Sequence, residues 1–228
     1  MACLSRADIE AMAGDITRQY RDTFVPRHHL CYRVDPQNLA QLLGLTVHFR
    51  PLSADGSILG MTASSELGVY LPDGKGGEEL QLLDGHTVLI EEALARNPRL
   101  LGRLHFTLAH EIGHQLVYRL DPRHYGADCR ILHCRHSAPH APITDWAEWQ
   151  ADSLAAALLM PRDALEEAMF CFGLGEKMTV LSRKYSENRF ESFCRMAEYL
   201  QVSRSALSYR MEQLGLLDRN CLGKEGMK

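Results

Sequence analysis

The chain has 228 residues, 46% of them hydrophobic, and a formal net charge of −4; that is enough apolar material for one good core and a small appended unit. The charge argues against a chain-wide surface for nucleic acid or an anionic membrane, and no run of 18 apolar residues is present to cross a bilayer. The seven cysteines lack a disulfide-framework spacing, and Met1 to Asp8 lacks the charged-then-apolar pattern of a secretion signal, so reduced thiols in a cytoplasmic protein are expected.

Residues 5–22 read as an amphipathic helix with Ser5 as N-cap and Ile9, Met12, Ala13 and Ile16 as its apolar stripe. Pro26 ends it, and the His28-His29 pair reads as surface. Asp35-Pro36 opens a second helix with Leu39, Leu42 and Leu43 inward and Gly44 just past its end. Leu45 to Phe49 then reads as a short strand. Residues 50–91 read as a small β-sheet with strands over 58–63, 67–71 and 87–90. Pro72-Asp-Gly-Lys-Gly-Gly77 is turn chemistry, and a hairpin with an extended loop over 72–85 fits.

Asn97-Pro98 supplies a cap and a proline at the first helical position. Leu101, Leu104, Leu108 and Ile112 follow at spacings of three and four, a buried stripe. The same helix carries His110-Glu111-Ile-Gly-His114. Side chains four apart share a helix face, so His110 and His114 can converge on one Zn²⁺. Glu111, rotated by about 100°, borders the open side of such an ion, where a general base takes a proton from bound water. The plainer alternative is a helix with two unremarkable histidines.

Residues 119–143 read as a loop with His124, Cys129, His133, Cys134, His136, His140 and three prolines. Either a second metal site or a solvated loop or lid would fit; the spacing matches no familiar zinc pattern. The next helix runs from Thr144-Asp145 to Met160 and Pro161. Glu148 and Asp152 are like charges four apart, which a nearby cation would relieve. Glu148 can be the third ligand, and Asp152, one turn on, can accept the free N–H of a ligating histidine. Alternatively, Asp145 and Glu148 form a capping box.

Pro161 starts a helix through about Cys171, broken by Gly173 and Gly175. Residues 189–200 and 204–214 are helical, joined by Gln201-Val202 with Ser203 as cap and Gly215 as stop. The pair suggests a helix-turn-helix in which Arg204 and Arg210 could reach phosphate. Against this, Leu207, Met211 and Leu214 form a packing stripe and few basic residues lie nearby. The tail after Leu217 is expected to fray.

Phe106-Thr-Leu-Ala-His110-Glu111-Ile-Gly-His114, with Glu148-Trp-Gln-Ala-Asp152 and Leu158-Leu-Met-Pro161, resembles the ImmA/IrrE family of zinc metallopeptidases, which are gluzincin-like. The likeness is strong over about 97–161 and weaker over 30–96 and 161–217. It implies an α+β fold: a zincin-like core, with a small mixed sheet packed on the His-Glu-x-x-His helix and a Glu-bearing helix, and a C-terminal helical subdomain. The divisions expected are 1–160 for the metallopeptidase unit, 161–217 for the helical subdomain and 218–228 for a flexible tail. The resemblance further implies a Zn²⁺ cofactor, a cytoplasmic location, and limited cleavage of a partner protein, often a helix-turn-helix repressor. His110, His114 and Glu148 would be ligands, Glu111 the catalytic acid/base and Asp152 the partner of a ligating imidazole. In peptidases of this layout an edge strand often binds substrate as an added strand, and 87–90 is the candidate rail. Tyr118, His124 and His140 are candidates for oxyanion support. Two other classes fit less closely: a non-proteolytic binding regulator on the same fold, and a DNA-binding regulator acting through the C-terminal helices. A membrane partner is not expected, and the sequence does not code for an oligomeric state.

Overall fold

The computed structural model describes residues 4–26, 33–120, 131–135 (backbone only), 146–184 and 186–221. Helix α1 (Arg6–Phe24) starts at the predicted cap. Asp8 N–H donates to Ser5 Oγ and Ser5 N–H to Asp8 Oδ2, a reciprocal capping box that satisfies two donors the helix itself leaves open. Its Ile9, Ala13 and Ile16 are buried and Met12 is half-buried. Helix α2 (Pro36–Leu42) is capped by Asp35, and Gly44 takes φ +69° to turn the chain into β1 (Thr46–Arg50).

The main sheet has the order β1-β5-β2-β6, with β2 (Ile58–Ala63), β5 (Thr87–Glu91) and β6 (Ile131–Arg135). β1 runs parallel to β5, whereas β2 pairs antiparallel with β5 and β6. Alternate residues of β5 serve two cores. Val88 and Ile90 join the helices, while Leu89 meets Met61, Ala63 and the ribbon residues Val69, Leu71 and Leu83. The ribbon is β3 (Glu66–Pro72) with β4 (Glu78–Asp84), turning at Asp73, whose Oδ1 accepts from Lys75 N–H and Gly77 N–H.

Three expectations change here. Residues 78–84 are a strand, not part of an extended loop, so β3 pairs with β4 and not with 87–90. β5 is paired on both sides, so it has no open edge to act as a substrate rail. Residues 131–135 of the expected loop form β6, at the edge beside β2. His124, Cys129, His136 and His140, and the Asp145 cap, lie outside the described residues.

After α3 (Glu92–Arg96) and a 3₁₀ turn at Pro98–Leu100 comes α4 (Leu101–Leu120), packed on the helical side of the sheet and against α5 (Trp146–Leu159). The chain closes with α6 (Arg162–Cys171), β7 (Met178–Leu181), α7 (Glu187–Leu200), α8 (Arg204–Gln213) and β8 (Leu217–Asn220). β7 and β8 pair in parallel, so residues expected to begin a frayed tail are held in a strand, anchored by buried Leu217. The result is a mixed α+β fold. Among the described residues no helix is long and apolar enough to cross a membrane.

The C-terminal helices are packed onto the rest. Leu165, Met169, Phe193, Met196, Leu207 and Met211 share a core with Ala109 of α4 and Ala155 and Leu159 of α5. At Gly102 a Cβ would lie 2.8 Å from Ser203 N, so the start of α4 abuts the α7–α8 turn directly. Arg210 is 3% exposed, donates Nε–H to Met160 O at 3.0 Å and pairs with Glu10 through both terminal nitrogens, at 2.5 and 2.9 Å. Arg210 is thus engaged in packing these helices, the reading preferred over the phosphate-contact alternative. Arg204 remains exposed, 4.0 Å from Glu198.

Candidate metal centre

Local geometry of α4 builds half the site. Asn97 Oδ1 accepts Arg99 N–H where the 3₁₀ turn begins, and Leu104, Leu108 and Ile112 bury the helix against the sheet and α5. His110, Glu111 and His114 are at most 2% exposed. The Nε2 atoms of His110 and His114 lie 2.9 Å apart. From α5, Glu148 places Oε2 3.3 Å from His110 Nε2 and Oε1 3.3 Å from His114 Nε2. Donors about 2.0–2.2 Å from one tetrahedrally held ion are roughly 3.4 Å apart. The two imidazoles and the carboxylate thus suit a borderline-soft divalent ion.

Asp152, one turn beyond Glu148, accepts from His110 Nδ1–H at 2.8 Å. Once the ring is neutral, as a ligand must be, that bond would keep the N–H on Nδ1 and turn the Nε2 lone pair toward the cluster. Burial alone would strip His110 of its proton, but bonds to Asp152 and Glu148 and the charge of Glu111 outweigh it and hold its pKa up to about 10. Burial keeps His114 below its ordinary value, assisted by the neighbouring His110 charge. Burial would raise Glu148, yet its bonds to His110 and His114 hold it well below the usual carboxylate range. In the absence of an ion these directions favour a proton on His110 and an ionised Glu148.

Of the five predicted site residues, the structure brings the His110, His114, Glu148 and Asp152 side chains together; Glu111 follows His110 on α4, with its carboxylate fully buried beside Gly60 of β2. Tyr118 stacks on His114, with ring centroids 6.1 Å apart and planes at 19°. His124 and His140 lie outside the described residues.

Two features were not anticipated. Buried Gln115 donates Nε2–H to Thr62 Oγ1 and Ala63 O, and Thr62 Oγ1 donates in turn to Thr87 O. This relay ties the turn after His114 to β2 and β5. Its signal was a polar residue in the apolar stripe, three after Ile112. The second feature is Gly113, where a Cβ would meet Ala151 O at 2.9 Å and Ala151 Cα at 3.1 Å. The missing side chain lets α5 cross close enough for Glu148 to reach both imidazoles.

The family described as the IrrE N-terminal-like domain, peptidase family M78, matches residues 94–212. A comparison with curated proteins finds no match.

Proposed function

Because the chain belongs to the M78 peptidase family of IrrE N-terminal-like domains, we propose that it is a zinc-dependent endopeptidase. Its substrate is a partner protein cut at a limited site, with helix-turn-helix transcriptional repressors as the candidate class and the cytoplasm as the compartment. The observation that carries the reading is the convergence of His110 Nε2, His114 Nε2 and the Glu148 carboxylate, with Asp152 behind His110. A mixed sheet on one side of α4 and the Glu-bearing α5 on the other support a zincin-like core over 1–160, with 161–217 as an appended helical unit.

A divalent ion held by His110, His114 and Glu148 would supply Lewis acidity and lower the pKa of bound water. Glu111 is the acid/base of the reaction: it takes the proton of the attacking water and delivers it to the leaving nitrogen. Asp152 holds the His110 ring and tautomer, and the Gln115–Thr62 relay fixes α4 on the sheet. A substrate that adds as a strand would pair with an edge strand, β1 or β6 among the described residues, and not with β5.

The test is co-expression with the proteins encoded beside it, followed by intact-mass analysis. A chelator-sensitive cut, lost in Glu111→Gln while the ion stays bound, is expected. Stoichiometric ion without any such cut would overturn the peptidase reading in favour of a binding regulator. The DNA-binding alternative is weakened by the burial of Arg210 against Glu10 and Met160 O.

A further inference from the structure

The carboxylate of Glu111 is fully buried, and one wall of its seat is a strand. An ideal Cβ on Gly60 of β2 would lie 2.5 Å from Glu111 Oε1, 2.9 Å from Glu111 Cγ and 2.9 Å from Thr107 Cγ2. Gly60 does not occupy the left-handed region, so its backbone could carry a side chain without strain. Only the approach of α4 excludes one. A second observation falls on the same spot. Pairing of β2 with β6 slips between Ile58 and Gly60, so two steps on β2 match one on β6. Such a bulge bends a strand locally and redirects what faces it. The bulge and the glycine together make a notch in the sheet opposite the second residue of His-Glu-x-x-His.

We infer that Gly60 is a positioning residue, and that its missing side chain sets the depth and direction of the Glu111 carboxylate. The inference rests on the reading of Glu111 as general base. In Gly60→Ala the carboxylate must withdraw by about 1 Å to restore ordinary van der Waals separation. The atoms nearest the added methyl belong to Glu111 and Thr107 and not to His110, His114 or Glu148, so the substitution is expected to act on proton transfer more than on ion binding. A misplacement of about 1 Å costs on the order of 10²-fold in a step that depends on alignment.

The experiment uses the full chain loaded with Co²⁺, with acetohydroxamate as the probe. This ligand chelates the ion and shares a proton with an adjacent carboxylate, and cobalt absorption reports both binding events. Gly60→Ala is compared with wild type, Glu111→Gln and Gly14→Ala, a glycine with open space around it. Expected are wild-type Co²⁺ affinity in all four and acetohydroxamate binding weakened by about tenfold or more in Gly60→Ala and Glu111→Gln alone. Wild-type probe affinity in Gly60→Ala, with loss in Glu111→Gln, overturns the inference and leaves the general-base reading standing. No loss in either overturns both.

Thermal melting supplies a second readout, independent of the ion. The fall in Tm caused by Gly60→Ala should at least halve when Glu111→Ala is already present. If Gly60→Ala alone does not fold, recovery of folded double variant supports the inference. A double variant equally damaged assigns the glycine to the strand's own packing and overturns it.

Discussion

Gly113→Ala separates two opposed effects on the same residue. In a helix interior the substitution should stabilise by about 1 kcal/mol from backbone propensity alone. Here the new methyl would meet Ala151 O at 2.9 Å and Ala151 Cα at 3.1 Å. Both are backbone atoms, which cannot rotate aside, so α5 must retreat by roughly 0.5 Å to restore ordinary contact. Overpacking of this kind costs about 1–3 kcal/mol. Gly14→Ala in α1 carries the same propensity gain with nothing within 4 Å of the new atom, so the difference between the two variants isolates the packing cost. At about 2–4 °C per kcal/mol for a chain of this size, Gly113→Ala should melt roughly 2–12 °C below Gly14→Ala. Glu148 and Asp152 flank Ala151 on α5, so the retreat carries both away from the imidazoles. Zinc affinity should fall about 10–100-fold, as when the partners of a metal-bound histidine are disturbed. Calorimetric melting and a competitive zinc titration measure the two effects. Equal melting temperatures and equal zinc affinities in the two variants would refute the claim that the α4–α5 crossing sets the ligand geometry.

Metal binding should release about one proton per ion between roughly pH 7 and 9, since His110 is held protonated up to about 10 while His114 is already neutral and Glu148 ionised. Affinity then rises with pH across that window; titration calorimetry in two buffers of different ionisation enthalpy counts the protons, and zero or two would contradict the assignment. Asp152→Asn should keep the fold but weaken zinc binding about 10–100-fold, because the amide no longer supplies a charged acceptor for His110 Nδ1–H; unchanged affinity would show that Asp152 does not act through the ring. Glu10→Ala strands the buried Arg210 charge and should cost about 3 kcal/mol, the low end for a broken buried pair because Glu10 is itself partly exposed; a urea midpoint within error of wild type would remove that ion pair from the account of how α1 and α8 are joined.

What was legible in the sequence was local. The His110–His114 pairing needs only the helical repeat, and the caps at Ser5, Asp35 and Ser203 each act within a few residues. Strand β4 hid because its alternation is inverted. Leu80 and Leu82 face outward, 56% and 66% exposed, while Glu79 and Gln81 alternate with them and are both bound by Arg50 from β1. A charge on another strand makes that face tolerable for polar residues, and no window over 78–84 contains it. β5 was misplaced for a different reason. Val88-Leu-Ile90 is an unbroken apolar run, the pattern of a strand covered on both faces, and that signal argues for the centre of a sheet, not its rim.

The proposed third ligand lies between these cases. Glu148 stands out in sequence as a carboxylate one helical turn before Asp152, but nothing in its own helix directs it to His110. Its reach depends on the distance between two helix axes, and that distance depends on a glycine in one meeting an alanine in the other. Gly60 has the same character on the opposite side of α4, where a bulged strand admits Glu111. The packing role of each glycine shows only when a distant backbone or carboxylate fills the space where its side chain would be. The helical repeat supplies the ligand face of α4. Two missing methyl groups, one toward α5 and one on β2, give Glu148 and Glu111 the positions that the proposed roles need.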